Sequence, residues 1–88
     1  MEQQQWADSF REKLNQHYQW PTVYMFKFIV PSGKEPEVKA MFPNQGMTEK
    51  LSANGKYTSV TVQLNMNSAE EVIVIYQRAT KIEGLIAL

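Results

Sequence analysis

Polar and apolar residues alternate strictly at the centre of this chain. After Asn54-Gly55, the residues Thr58, Val60, Val62, Leu64 and Met66 point one way, and Tyr57, Ser59, Thr61, Gln63 and Asn65 point the other. The pattern predicts a long strand with one dry and one polar face. Asn-Gly is the commonest two-residue hairpin turn, and a type I′ turn asks φ > 0 of both residues. Met47–Ala53 is then the partner strand. A two-residue turn sets Ala53 opposite Lys56, Leu51 opposite Thr58, Glu49 opposite Val60 and Met47 opposite Val62. Leu51 and Met47 thereby join the dry face, and Thr48, Lys50 and Ser52 join the polar one.

Thr22–Val30 reads as another strand, rich in β-branched and aromatic residues. Tyr24, Phe26, Phe28 and Val30 form one face, and Val23, Met25, Lys27 and Ile29 the other. Both are largely apolar, which predicts a central position, with Lys27 the exception. A helical rhythm governs the rest. Trp6, Phe10 and Leu14 are spaced i, i+4, i+8, with His17 and Tyr18 continuing the stripe, so residues 6–18 predict a helix that ends before Pro21. A short helix follows the Pro31-Ser32-Gly33-Lys34 loop, with Pro36 in its first turn and Val38, Met41 and Phe42 inside; Pro43–Gly46 ends it. Ser68-Ala69-Glu70-Glu71 is a capping box that opens a third helix. Its buried stripe is Val72, Ile75, Tyr76 and Ala79, widened by Ile73 and Ile82. Gly84 marks a bend, and Leu85–Leu88 predicts a short, docked last strand.

The order is a helix followed by β-α-β-β-α-β. Right-handed crossovers turn that order into an α+β fold: a four-stranded antiparallel sheet, order 4-1-3-2, with two helices on one face. This is the ferredoxin-like arrangement, here with an added N-terminal helix. Residues 1–19 are expected to be the extension and 20–88 the domain.

With 88 residues the chain has room for one modest core. It has no cysteine, hence no disulfide framework or thiolate chemistry, and nine basic residues balance nine acidic ones. Neutral charge gives no general attraction to nucleic acid or to anionic lipid. The polar start Met1-Glu2-Gln3-Gln4-Gln5 lacks the features of a signal peptide, and no apolar run reaches the length of a membrane span. The expectation is a cytoplasmic protein.

The residues offer no reaction. His17 is the only histidine, so no metal site and no cofactor are expected. Capping accounts for Glu70 and Glu71, and no serine–histidine–acid set is present. The RNA-recognition motif shares this topology but needs two stacked rings on its third strand. Tyr57 fits the first place, and Ser59 stands where the second ring should be. An acylphosphatase-like use would need an arginine between Pro31 and Lys34, and none is there.

Ser52-Ala53-Asn54-Gly55-Lys56-Tyr57-Thr58-Ser59-Val60-Thr61 resembles the Ser-x-x-Gly-Lys-Tyr-x-Ser-Val-Thr signature of the YbeD-like family, small bacterial proteins of unknown function. Trp20-Pro21 through Lys27 is similar to that family's first strand, and Tyr76 sits where its second helix has a tyrosine. The resemblance covers about residues 20–88. Two departures stand out: the first crossover helix is shorter than the family's usual one, and the helix at 6–18 looks like an extension. The resemblance implies a fold close to ACT regulatory domains, which bind small metabolites and pair through their sheets.

Alternation and resemblance meet on one surface. Lys27, Lys50, Ser52, Tyr57, Ser59 and Thr61 share the sheet face turned away from the crossover helices, with Gln63 beside them and Met25 and Ile29 as an apolar margin. A mixed open face suits a contact with another protein or a second copy. In the competing arrangement the first helix covers it, burying Trp6 and Phe10. Ser32, Gly33 and Lys34, after the first strand, have main-chain N–H groups that can hold an anion, as the equivalent ACT loop holds ligands, although the plain connecting loop is the simpler reading. The expected function is therefore a non-enzymatic regulatory or interaction domain working through protein contacts, with a small-metabolite effector as a further ligand. The alternative is a single-stranded nucleic-acid binder.

Overall fold

A computed structural model describes residues 2–88; Met1 and the side chains of residues 2–4 lie outside that description. The elements are α1 (Glu2–His17), β1 (Thr22–Pro31), α2 (Glu35–Met41), β2 (Thr48–Leu51), β3 (Tyr57–Met66), α3 (Ala69–Ala79) and β4 (Ile86–Ala87). The four strands form one antiparallel sheet in the order β2-β3-β1-β4. That is the strand order read from the sequence, within an α+β fold of three helices.

β1 is central because both of its faces are apolar. It pairs with β3 without interruption from Thr22↔Met66 to Pro31↔Tyr57. Phe26, Phe28 and Val30 from β1, with Val60, Val62 and Met66 from β3, are buried against the helices. α3 closes that core with Ala69, Val72, Ile73, Tyr76 and Ala79, and α2 adds Val38. Tyr76 is its hub, in edge or tilted ring contact with Phe10, Tyr24, Phe26 and Phe28. Its hydroxyl bonds that of Tyr24 at 3.1 Å, and burial first, then that bond, pushes its ionisation well above the usual tyrosine range.

Ser68 caps α3 as read, accepting the Glu71 N–H at 3.3 Å. The return arm differs: the Glu71 carboxylate takes the N–H of Asn67 at 2.9 Å, one residue earlier than a capping box requires. Extended geometry at Ser68 brings Asn67 within reach.

Three expectations need correction. The hairpin register is as read, with Leu51↔Thr58 and Glu49↔Val60 paired, but the turn is not type I′. Only Gly55 has positive φ (74°), and no non-glycine residue does. The Gly55 N–H bonds Ser52 O at 3.0 Å and the Ser52 N–H bonds Tyr57 O at 2.8 Å, so a four-residue loop, 53–56, joins the strands. Asn54 uses its side chain instead of a left-handed backbone: its Oδ1 accepts the Lys56 N–H at 3.0 Å and the Ser52 hydroxyl at 2.8 Å. Second, Leu51, paired with the helix-facing Thr58, is 60% exposed, as all four residues of the edge strand β2 are exposed. Third, α1 begins at Glu2, and of the expected stripe Leu14 is buried and Phe10 half-buried against the core, while Trp6, His17 and Tyr18 are exposed and Ala7 takes the buried place beside Phe10. α1 is in contact with α3, and Arg11 ties the two helices by a forked pair of bonds to Glu70 while donating to Asp8 at 2.6 Å.

Candidate functional site

α1 settles which sheet face is free. It packs beside α3, on the helical side, with Phe10 edge-on to Tyr76 at 5.4 Å between centroids. The opposite face of the sheet has no helix over it among the described residues. Val23 and Met25 on that face are 60% and 55% exposed, an arrangement incompatible with a covering helix.

Register orders the face into rows. Lys50 and Ile29 flank Ser59 from β2 and β1, with Ile86 of β4 next to Ile29. Thr48 and Lys27 flank Thr61 in the same way. Met25 lies opposite Gln63. At the hairpin end, Ile29, Lys50, Ser52, Tyr57 and Ser59 line a shallow concavity of about 550 Å³. The fold thus brings four of the six expected residues into one hollow and places Lys27 and Thr61 in the adjoining row.

Their chemistry differs. Tyr57 is 44% exposed, and Lys27 and Lys50 form no ion pair among the described residues. Ser59 only grazes the Lys50 carbonyl, at 3.4 Å. Ser52 is occupied: its hydroxyl donates to Asn54 and accepts the Tyr57 N–H at 3.2 Å, so it builds the hairpin loop as well as edging the hollow. Lysines 27 and 50 are the only charged side chains at strand positions on this face, which is apolar with a positive bias and carries no carboxylate side chain at those positions.

The loop after β1 is knitted into the hairpin. The Ser32 N–H bonds Lys56 O at 2.9 Å, and its hydroxyl donates to Gly55 O at 2.8 Å. The Gly33 N–H donates to the Glu35 carboxylate at 2.7 Å, and Thr58 donates its hydroxyl to the other carboxylate oxygen at 2.6 Å. The Thr58 bond first, then the main-chain N–H groups, holds Glu35 below its ordinary value of 4.5. Glu35 therefore occupies the place an anion would take at Gly33, and Lys34 turns to Glu37 at 3.1 Å. Sequence reasoning missed Glu35, whose signal was a carboxylate two residues after a glycine. It also missed a groove of about 220 Å³ lined by Trp6, Phe10, Tyr24 and Tyr76 with Ala87 and Leu88, because α1 could not be placed from its pattern alone. Among the described residues no group of three or more histidines, cysteines or carboxylates could hold a metal, and no helix is long and apolar enough to cross a membrane.

The family model of a protein of unknown function, DUF493, matches residues 15–88. The chain belongs to the DUF493 family, which is the YbeD family. No curated protein and no solved structure matches it. The DUF493 match takes in every strand, the hairpin loop with its Ser52–Tyr57 bonds, and the last turn of α1; most of α1, including Trp6, Ala7 and Phe10, precedes it.

Proposed function

We propose that this DUF493 protein is a non-enzymatic regulatory or interaction domain of the bacterial cytoplasm, ferredoxin-like and ACT-like in architecture, whose open sheet face binds a protein partner. One observation carries the reading: among the described residues no helix covers the face, and Val23, Met25, Tyr57 and Ile86 are well exposed around two lysines, with no carboxylate side chain at its strand positions. Such a surface fits an apolar patch rimmed by acidic side chains. Two copies meeting face to face would bring four lysines together without a counter-charge, so a different, acidic partner fits better than a homodimer. An anionic effector at Ser32–Lys34 would have to displace the Glu35 carboxylate from Gly33, which ranks the effector below the protein contact. For nucleic acid the face offers one ring, Tyr57, and stacking platforms use several.

Capture from lysate tests this. Wild type is expected to recover an acidic protein that raised salt releases, and Lys27→Glu/Lys50→Glu to lose it while remaining folded. Equal recovery by the charge-reversed protein would overturn the reading, as would saturable binding of a mixed-sequence oligonucleotide in a fluorescence titration.

A further inference from the structure

β2 is an edge strand from the interior of the chain, entered from Met47 and left through the 53–56 loop. Main-chain polar groups alternate in direction along it. The Ser52 N–H bonds Tyr57 O, so Ser52, Lys50 and Thr48 address β3, and Glu49 and Leu51 address the outside. Neither Glu49 nor Leu51 has a main-chain partner on that outer side among the described residues. Residues 43–46 and 48–51 are all exposed, so no described segment lies over this edge. An unblocked edge of this kind is a template for an added strand.

The side chains along the edge are unmatched. Lys50 and Ser52 project to the open face, and Glu49 and Leu51 to the helical side. Leu51 is 60% exposed, a large apolar side chain that the core does not use. Glu49 and Lys50 form no ion pair among the described residues. The open-face hollow of about 550 Å³ adjoins the same edge, since Lys50, Leu51, Ser52 and Ala53 belong to its lining. Ser52 is small, and Tyr57, 44% exposed, stands across it from the edge.

We propose that an extended segment of another protein adds to the sheet antiparallel to β2, along Glu49–Leu51. Strand alternation sets the chemistry of four successive positions in that segment. The first, opposite Ser52, projects to the open face and lays a large apolar side chain over Ser52 into the hollow, against Tyr57. The second, opposite Leu51, exchanges both main-chain bonds with it and covers its side chain with an apolar one. The third, opposite Lys50, is acidic. The fourth, opposite Glu49, exchanges two further main-chain bonds and is basic. Charges that deter an unmatched strand thereby select a matched one. A second copy matches poorly in each antiparallel two-fold register that the alternation allows. One opposes Glu49 to Glu49 and one Lys50 to Lys50. The third centres on Leu51, with Lys50 opposite Ser52 and Glu49 opposite Ala53, and leaves every charge unmatched. The proposal rests on the open-face reading and deepens it by naming how the partner is held: by strand addition, with its acidic residue at Lys50.

The test is an amide-resolved NMR titration of the unaltered full chain with the capped peptide acetyl-Phe-Val-Glu-Arg-Thr-amide. Saturable shifts are expected at the Glu49 and Leu51 amides. Methylating the valine nitrogen removes the bond to Leu51 O and should weaken binding about tenfold. Methylating the glutamate nitrogen, which points away from β2, should weaken it far less. Changing the peptide's glutamate to lysine should weaken binding several-fold, and Lys50→Glu in the protein should restore it. The proposal is overturned if no saturable shift appears, if the two methylated peptides bind alike, or if the charge exchange restores nothing. Shifts centred on Met25, Lys27 and Thr61 would refute the edge while the open-face reading stands, and lysate capture decides that reading by itself. A free protein that dimerises with the Glu49 and Leu51 amides protected from exchange would give the edge to a second copy and also overturn the proposal.

Discussion

Gly55 carries the one left-handed residue of the hairpin loop, at φ 74°, and a Cβ there would meet nothing within 4 Å. A substitution is therefore penalised by backbone conformation alone. Gly55→Val is expected to cost more than about 1 kcal/mol in urea melts, and Gly55→Asn much less, since asparagine tolerates this region. Equal costs would mean that the loop adopts another geometry. Ser52 and Asn54 show why the register was legible while the turn was not. Cross-strand pairing depends on alternation, which the sequence displays, whereas the loop is held by side-chain bonds between residues two and five apart. A second expectation concerns Glu35, held below 4.5 by Thr58 and main-chain N–H groups. Its folded value is depressed, so its stabilising contribution is complete above the unfolded value and is lost as pH falls through the folded one. Wild type should lose more stability than Glu35→Gln as pH drops below 4.5; parallel acid unfolding curves would contradict the Thr58–Glu35–Gly33 arrangement.

At the scale of elements, α1 is the informative case. Its pattern announced a helix, but helical periodicity fixes a face only to within a residue or so and says nothing about what that face meets. Alanine carries little weight in an apolar stripe, yet Ala7 is 6% exposed, while Trp6, which the stripe places inside, is 44% exposed. Leu14, 4% exposed, tests the docking. Leu14→Ala is expected to cost about 2–5 kcal/mol, the range for a buried leucine that leaves a cavity. A loss under about 0.5 kcal/mol, the size usual for exposed positions, would mean that α1 is not part of the core. The strands and α3 were readable because each has a strong signal: two apolar faces on β1, strict alternation on β3, and the Ser68 cap with its stripe on α3. β2 was harder. Of its predicted dry face Leu51 is exposed, while Met47, just before the strand, packs against the core; burial depends on what covers a position, which no local pattern encodes.

At the scale of the whole molecule, α1 and α3 share one side of the sheet, and among the described residues no helix covers the other side. The six residues singled out from alternation lie on that other side, four of them around one hollow. The side chains of Lys27, Tyr57 and Thr61 make no hydrogen bond or ion pair among the described residues, whereas that of Ser52 holds the hairpin loop, so the pattern that points to a surface also takes in a loop residue. The central claim is that this face is a platform for a partner and no part of the core. The most direct measurement compares partner recovery from lysate by wild type and Tyr57→Ala/Lys27→Glu at equal concentrations of folded protein, with urea melts to certify the fold. The account predicts a stability change within about 0.5 kcal/mol together with loss of the acidic partner. A double variant that keeps both its stability and every partner of the wild type would contradict it, as would one destabilised by several kcal/mol, since only a buried face would respond so strongly.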